Sequence, residues 1–273
     1  MKYRWHKILF YLVIVVAAVF AMDTVSAYNT DIFTQAVSRL GYQFAYPNLY
    51  SNPAHDASQT VHTDSETATK TVYLTFDDGP SARTEEILDI LEQYNIKATF
   101  FVVNNDSEKA KQTISRAYSE GHSIGVHSAS HSYREIYKSV DSFLQDFESC
   151  FSYITEITGD TPTIFRFPGG SVNSFNKAVC HDIAQEMYRR GFVYFDWNVS
   201  SDDATRSYSE DSIYRKVMEG CKNRDESVVL MHDSATKKET VAALKRIIPD
   251  LLEQGFVFDS LDENARPTIF KME

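Results

Sequence analysis

From Thr71 onward the chain alternates short apolar runs, rich in β-branched and aromatic residues, with longer stretches of helical periodicity. The runs are VYLTF (72–76), ATFFV (98–102), SIGVH (123–127), TIFRF (163–167), FVYFDW (192–197), SVVLMH (227–232) and VFDSL (257–261). Between them lie amphipathic segments such as TEEILDILEQY (84–94), SFLQDFESCFSYITEI (142–157) and ETVAALKRIIPDLLEQ (239–254). Strands that alternate with helices predict a parallel sheet in an α/β fold, and continuous apolar runs are what strands buried on both faces look like. Pro249 lies inside the last helical segment and is expected to kink or split it. An open doubly wound sheet and a partly closed barrel both satisfy the alternation. The position of the polar residues tips the choice, because a barrel gathers its chemistry at the carboxyl ends of several strands.

Five strand ends carry such residues. VYLTF is followed by Asp77-Asp78-Gly79-Pro80. As a turn this is unexceptional, but two adjacent carboxylates at a buried strand end repel each other and call for compensation, for instance by a cation. SIGVH ends on His127, and His131 follows four residues later. On a helical turn that spacing puts two imidazoles on one side, within reach of a single ion. Two histidines and an aspartate around an open coordination position describe a catalytic zinc-type site, not a structural one. TIFRF carries Arg166 and leads into Pro168, Gly169 and Gly170. A guanidinium at the end of a core strand needs an anionic partner, and the glycines let backbone N–H groups approach a ligand. FVYFDW leads to Asp202 and Asp203, and SVVLM to His232. Singly, each of these has a bland reading as a turn, a surface pair or a satisfied core histidine. Their convergence on the same end of one sheet does not.

These residues resemble an ordered motif set. Thr75-Phe76-Asp77-Asp78-Gly79-Pro80, His127-Ser-Ala-Ser-His131, Arg166-Phe-Pro-Gly-Gly and Leu230-Met-His232 look like the motifs of NodB-type polysaccharide deacetylases, the family four carbohydrate esterases, over about Thr71 to Leu261. The resemblance implies an α/β fold of distorted, partly open (β/α)7-type barrel form. It implies Asp78, His127 and His131 as ligands of one divalent metal, zinc or alternatively cobalt. It further implies Asp77 as general base and His232 as general acid, Arg166 as the partner of Asp77, and Asp203 as the residue that orients His232. The backbone N–H of Gly169 would stabilise the oxyanion. Two of the motifs depart from the family pattern. Phe167 and Gly169 stand where Pro and an aromatic residue are common, and Ala204 stands where Trp usually follows the aspartate, which leaves Asp202 as a rival to Asp203.

The activity so implied is hydrolysis of N-acetyl groups on a polysaccharide, with peptidoglycan N-acetylglucosamine favoured. Chitin or chitooligosaccharide deacetylation and acetylxylan ester hydrolysis are the enzyme alternatives. A catalytically silent wall-binding module is the alternative from another class, and it would need a broken residue set, whereas none of the seven side chains is missing.

The N-terminal part supports an address outside the cell. Lys2, Arg4 and Lys7 precede the uncharged run Ile8–Met22, and Val25-Ser26-Ala27 follow at the spacing of a signal-peptidase site. Residues 1–27 are therefore expected to be a signal peptide or, if uncleaved, a membrane anchor, and the protein to be secreted or held at the cell surface. Scattered apolar positions in 28–47 read as one short helix, and the polar stretch 48–70 as a linker, so that 28–70 form a stalk. The deacetylase domain is expected at 71–265 and a tail at 266–273. Among 273 residues, 27 are Lys or Arg and 38 are Asp or Glu, a net charge of −11. That balance argues against a nucleic-acid partner, which a basic patch would mark. Cys150, Cys180 and Cys221 have no C-x-x-C spacing. An exported chain admits a Cys180–Cys221 bridge, and three buried thiols are the alternative.

Overall fold

The computed structural model describes residues 41–42, 46–47, 49–50 and 69–272. The signal peptide or anchor expected at 1–27, the helix expected within 28–47 and most of the polar stretch after it thus lie outside the described residues. The chain divides into two units, Met1–Pro47 and Asn48–Glu273, and everything below concerns the second.

Eight parallel strands form one sheet: β1 (Thr71–Asp77), β2 (Thr99–Val103), β3 (Ser123–Ser128), β4 (Ile164–Phe165), β5 (Val193–Tyr194), β6 (Val199–Ser200), β7 (Glu226–His232) and β8 (Val257–Asp259). Their order is β5-β4-β3-β2-β1-β7-β6. β8 pairs with β1 at Thr71–Tyr73, while β2 pairs with β1 at Thr75–Asp77. The crossovers are α1 (Ala82–Tyr94), α2 (Glu108–Ser119), α3 (Tyr133–Ile136), α4 (Val140–Thr158), α5 (Cys180–Arg189), α6 (Glu210–Cys221) and α7 (Lys238–Glu253). The matching residues explain why: Ile87, Leu88 and Leu91 of α1, or Leu244, Ile247, Ile248 and Leu251 of α7, recur at helical spacing and are fully buried.

One expected strand is shorter than its apolar run. FVYFDW (192–197) holds only β5, on one edge of the sheet, and β6 forms just beyond the run, at 199–200, on the other edge. The Phe195 N–H donates to Phe165 O at 3.0 Å, and the Asn198 N–H already donates to Val228 O at 3.1 Å. Three residue steps reach about 11 Å at most, whereas six strand spacings laid flat would separate the edges by roughly 29 Å. The sheet must therefore curl until its edges nearly meet, which makes a half-barrel. The apolar run continues through this crossing because the crossing itself is interior. Phe195 is fully buried and packs with Phe101, Ile164, Val228 and Leu261.

Two points that the sequence leaves open are narrowed. α7 runs unbroken through Pro249, since its buried apolar face on both sides of the proline holds it against the sheet and outweighs the roughly 3 kcal/mol helix penalty. The three cysteines are all free and buried, without a Cys180–Cys221 bridge. Two segments read from sequence as stalk and tail also touch the domain. Leu49 is buried, with its carbonyl accepting from Arg190 Nη1 at 2.9 Å, and residues 268–270 lie along the β5–β6 crossing.

Candidate active site

The site lies at the carboxyl ends of the strands. Asp77 is the last residue of β1, and Asp78 follows in a left-handed conformation with φ of 75°; His127 Nε2 lies 3.9 Å from Asp77 Oδ2 and 3.5 Å from Asp78 Oδ1. His127 is in β3. His131 is not on a helical turn, as its spacing suggested, but in a loop with φ of 51°. The loop is shaped by Asp146 of α4, whose carboxylate accepts from Ser128 Oγ at 2.6 Å and from the N–H groups of Ala129 and Ser130 at 2.9 Å each. The Ser128 hydroxyl in turn accepts from the His131 N–H at 2.8 Å.

Asp78, His127 and His131 converge. One ligand atom from each lies within 4.8 Å of the others. His127 Nε2 and His131 Nε2 are 3.5 and 3.0 Å from Asp78 Oδ1, a buried oxygen with no well-aligned hydrogen bond. Such separations are close to the roughly 3.3 Å between donors of a tetrahedral zinc site. His127 Nδ1 lies 2.9 Å from Arg166 O, which fixes the proton on Nδ1 and leaves the Nε2 lone pair free to ligate. Burial pushes the His127 imidazole down, toward the neutral form a metal needs. Burial alone would raise the Asp78 carboxyl, but the contact with His131 and the charge of the imidazoles outweigh it and hold it well below the usual carboxylate range. The donor set fits a divalent cation.

Two pairs flank this triad. Arg166, fully buried just after β4, donates from Nη1 to Asp77 Oδ1 at 2.9 Å and to Thr75 Oγ1 at 2.6 Å. Its Nε and Nη2 reach the carbonyls of Phe195 and Asp196 at 2.8 and 3.0 Å, and its plane stacks on Phe101 at 4.4 Å. At the end of β7, His232 Nδ1 donates to Asp203 Oδ1 at 2.7 Å and the His232 N–H to Oδ2 at 2.9 Å. The Thr240 hydroxyl donates to Asp203 Oδ2 as well, at 2.8 Å. Burial lowers the His232 imidazole, the Asp203 pairing more than reverses this, and its pKa ends above the ordinary value. Asp203, not its rival, therefore faces the histidine. Asp202 turns outward to Lys216 at 2.9 Å and to Ser200 at 2.8 Å.

Gly169 and Gly170 both have positive φ, 75° and 84°. The Gly169 N–H has no acceptor among the described residues, and a Cβ at this position would come within 3.0 Å of the Tyr133 ring. Tyr133 stands edge-on to His131 at 5.2 Å and to Phe175 at 5.4 Å, and Phe175 is 46% exposed. The wall that Gly169 itself cannot supply thus comes from Tyr133 and Phe175. Burial and the nearby Asp78 and Asp77 charges push the Tyr133 phenol up to about 12, so its hydroxyl stays protonated. Sequence reasoning passed over Tyr133, Phe175, Asp146 and Asp196. Only Asp196, an acid inside an apolar run, left a sign of itself.

A family model described as polysaccharide deacetylase matches residues 64–191. The chain is 35% identical over 204 residues to the putative polysaccharide deacetylase YheN of Bacillus subtilis, covering 72% of this chain and 69% of the relative. The protein belongs to the polysaccharide deacetylase family. Among solved structures it is similar to the catalytic domain of peptidoglycan N-acetylglucosamine deacetylase from Eubacterium rectale, with a TM-score of 0.73 and 36% identity over 80% of this chain and 100% of that one. It is also similar to a family 4 acetyl xylan esterase from Clostridium thermocellum in complex with a cobalt ion, with a TM-score of 0.61 and 31% identity over 71% of this chain and 90% of that one. The chain is accordingly a hydrolase of this family, and its curled parallel sheet is the family's distorted barrel.

Proposed function

We propose that the protein removes N-acetyl groups from the amino sugars of an exported polysaccharide, peptidoglycan N-acetylglucosamine before others. The observation that carries the reading is the pairing of Asp77 with Arg166 and of Asp203 with His232 on either side of Asp78, His127 and His131. The peptidoglycan substrate is supported by what the Eubacterium rectale relative is named for, and the export by the signal-like residues 1–27.

Asp78, His127 and His131 would hold a divalent cation, zinc or cobalt, which when bound supplies Lewis acidity for activating water and polarising the acetyl carbonyl. Asp77, kept in place by Arg166, takes the proton of the attacking water. The carbonyl oxygen gains negative charge as it becomes tetrahedral, and the Gly169 N–H donates to it. His232, protonated and oriented by Asp203, gives its proton to the departing sugar nitrogen. The C–N bond breaks, and acetate and a free amino sugar result.

Mass spectrometry of muropeptides after incubation with the protein tests this. Loss of acetyl from N-acetylglucosamine is the expected result. Release only from chitooligosaccharides or acetylxylan would reassign the substrate, and no release from any of the three would refute the enzyme. A chelator should abolish acetate release and added zinc or cobalt restore it.

A further inference from the structure

Asp196 is a fully buried carboxylate that the chemistry above leaves without a part. Its Oδ1 accepts from the Ser171 N–H at 2.8 Å, and its Oδ2 from Ser171 Oγ at 2.5 Å and from the Phe270 N–H at 2.7 Å. Its own N–H donates to Thr268 O at 2.7 Å, and its carbonyl receives Arg166 Nη2 at 3.0 Å. Residues 268–270 therefore lie along the seam where the two edges of the sheet approach, joined to the crossing at both faces of one residue. The Phe270 ring stands edge-on to Trp197 at 4.8 Å, and a Cβ on Gly170 would meet that ring at 2.9 Å. The loop 168–171 is thus tied at Ser171 by Asp196 and covered at Gly170 by Phe270. Between those points and Pro168 lies the unpartnered Gly169 N–H.

We propose that Thr268–Phe270 is a positioning strap, which holds the loop 168–171 and the Asp196 carbonyl so that the Gly169 N–H and Arg166 are set for turnover. The proposal rests on the reading of Gly169 as oxyanion donor. The strap touches neither the triad nor His232 in any described contact, so its loss should leave metal and ground-state binding alone and act on the reacting geometry. Misplacing a donor by about 1 Å is enough to cost on the order of a hundredfold in rate.

Three full-length variants separate the parts. Phe270→Pro deletes the N–H and the ring, Phe270→Ala only the ring, and Phe270→Tyr keeps both. At a temperature where each is folded by near-ultraviolet circular dichroism, kcat for acetate release should fall about ten- to a hundredfold in Phe270→Pro. It should fall less in Phe270→Ala and stay near wild type in Phe270→Tyr. KM and the zinc dissociation constant should stay within about twofold of wild type. Affinity for a phosphonamidate that mimics the tetrahedral intermediate should fall by the same factor as kcat. Should Phe270→Pro not fold, Asp196→Asn and Phe270→Ala are read the same way. Unchanged kcat in the folded variants overturns the strap, as does a loss that follows zinc affinity or leaves analogue binding untouched. A wild type that releases no acetate overturns instead the activity beneath it.

Discussion

Asp146 and Asp196 serve two loops at the mouth of the half-barrel in the same way, each gathering several donors on one carboxylate, but they reach over very different distances. Asp146 is half-buried on α4, and its partners Ser128, Ala129 and Ser130 lie 16 to 18 residues away. Asp196 is fully buried, and its partners Ser171 and Phe270 are 25 and 74 residues away. The histidine loop is a local construction between one strand and the next long helix. The glycine loop is assembled only when remote parts of the chain have come together. The loop that carries His131 is therefore held locally, although the triad also draws Asp78 from the end of β1 and sets the His127 ring on the Arg166 carbonyl, whereas the loop that would stabilise developing charge is held only by remote parts of the fold.

If that division is right, the two halves should fail separately. The largest effect is expected for Asp77→Asn, which should cut acetate release by about a thousandfold or more while leaving zinc affinity intact. His127→Ala should instead lose the metal, and equal loss of metal in both variants would erase the distinction. Asp203→Asn should lower kcat by about a hundredfold at neutral pH and also move the pH profile. The acid form of His232 is needed, so activity falls as pH rises through its raised pKa. Removing Asp203 removes what raises it, so the alkaline limb should shift to lower pH, and a shift the other way would break the assignment. Asp146→Ala should weaken zinc binding by about tenfold, with kcat at saturating zinc nearly unchanged. The smallest effect is expected for Phe175→Ala. Its exposed ring flanks the site, and its loss should raise KM for the polymer about two- to tenfold without changing kcat.

Legibility in the sequence follows the same division. The strand ends could be read because a buried parallel strand is a continuous apolar run, and any charge that closes such a run stands out. Asp77, Asp78, His127, Arg166 and His232 were visible on that ground. Asp203 was separable from Asp202 only in three dimensions, where one meets His232 and the other Lys216. Asp146 sits on a helix face where an acid ordinarily means solvent, and Tyr133 and Phe175 look like any surface aromatics. The early end of β5 was hidden because Phe195 and Trp197 pack in the interior as the chain changes edges, so composition stays apolar while hydrogen-bond partners change. The strap was hidden because a short polar-apolar segment after the last strand has no periodicity of its own.

The crossing from β5 to β6 also acts as a ruler. Four residues, 195–198, span the gap between the two edges of the sheet, and one of them carries Asp196. An added residue there would let the edges spread and pull Ser171 and Phe270 apart, and a missing one would not reach. The separation of the two edges of the sheet is in this architecture a matter of main-chain length before it is a matter of side chains.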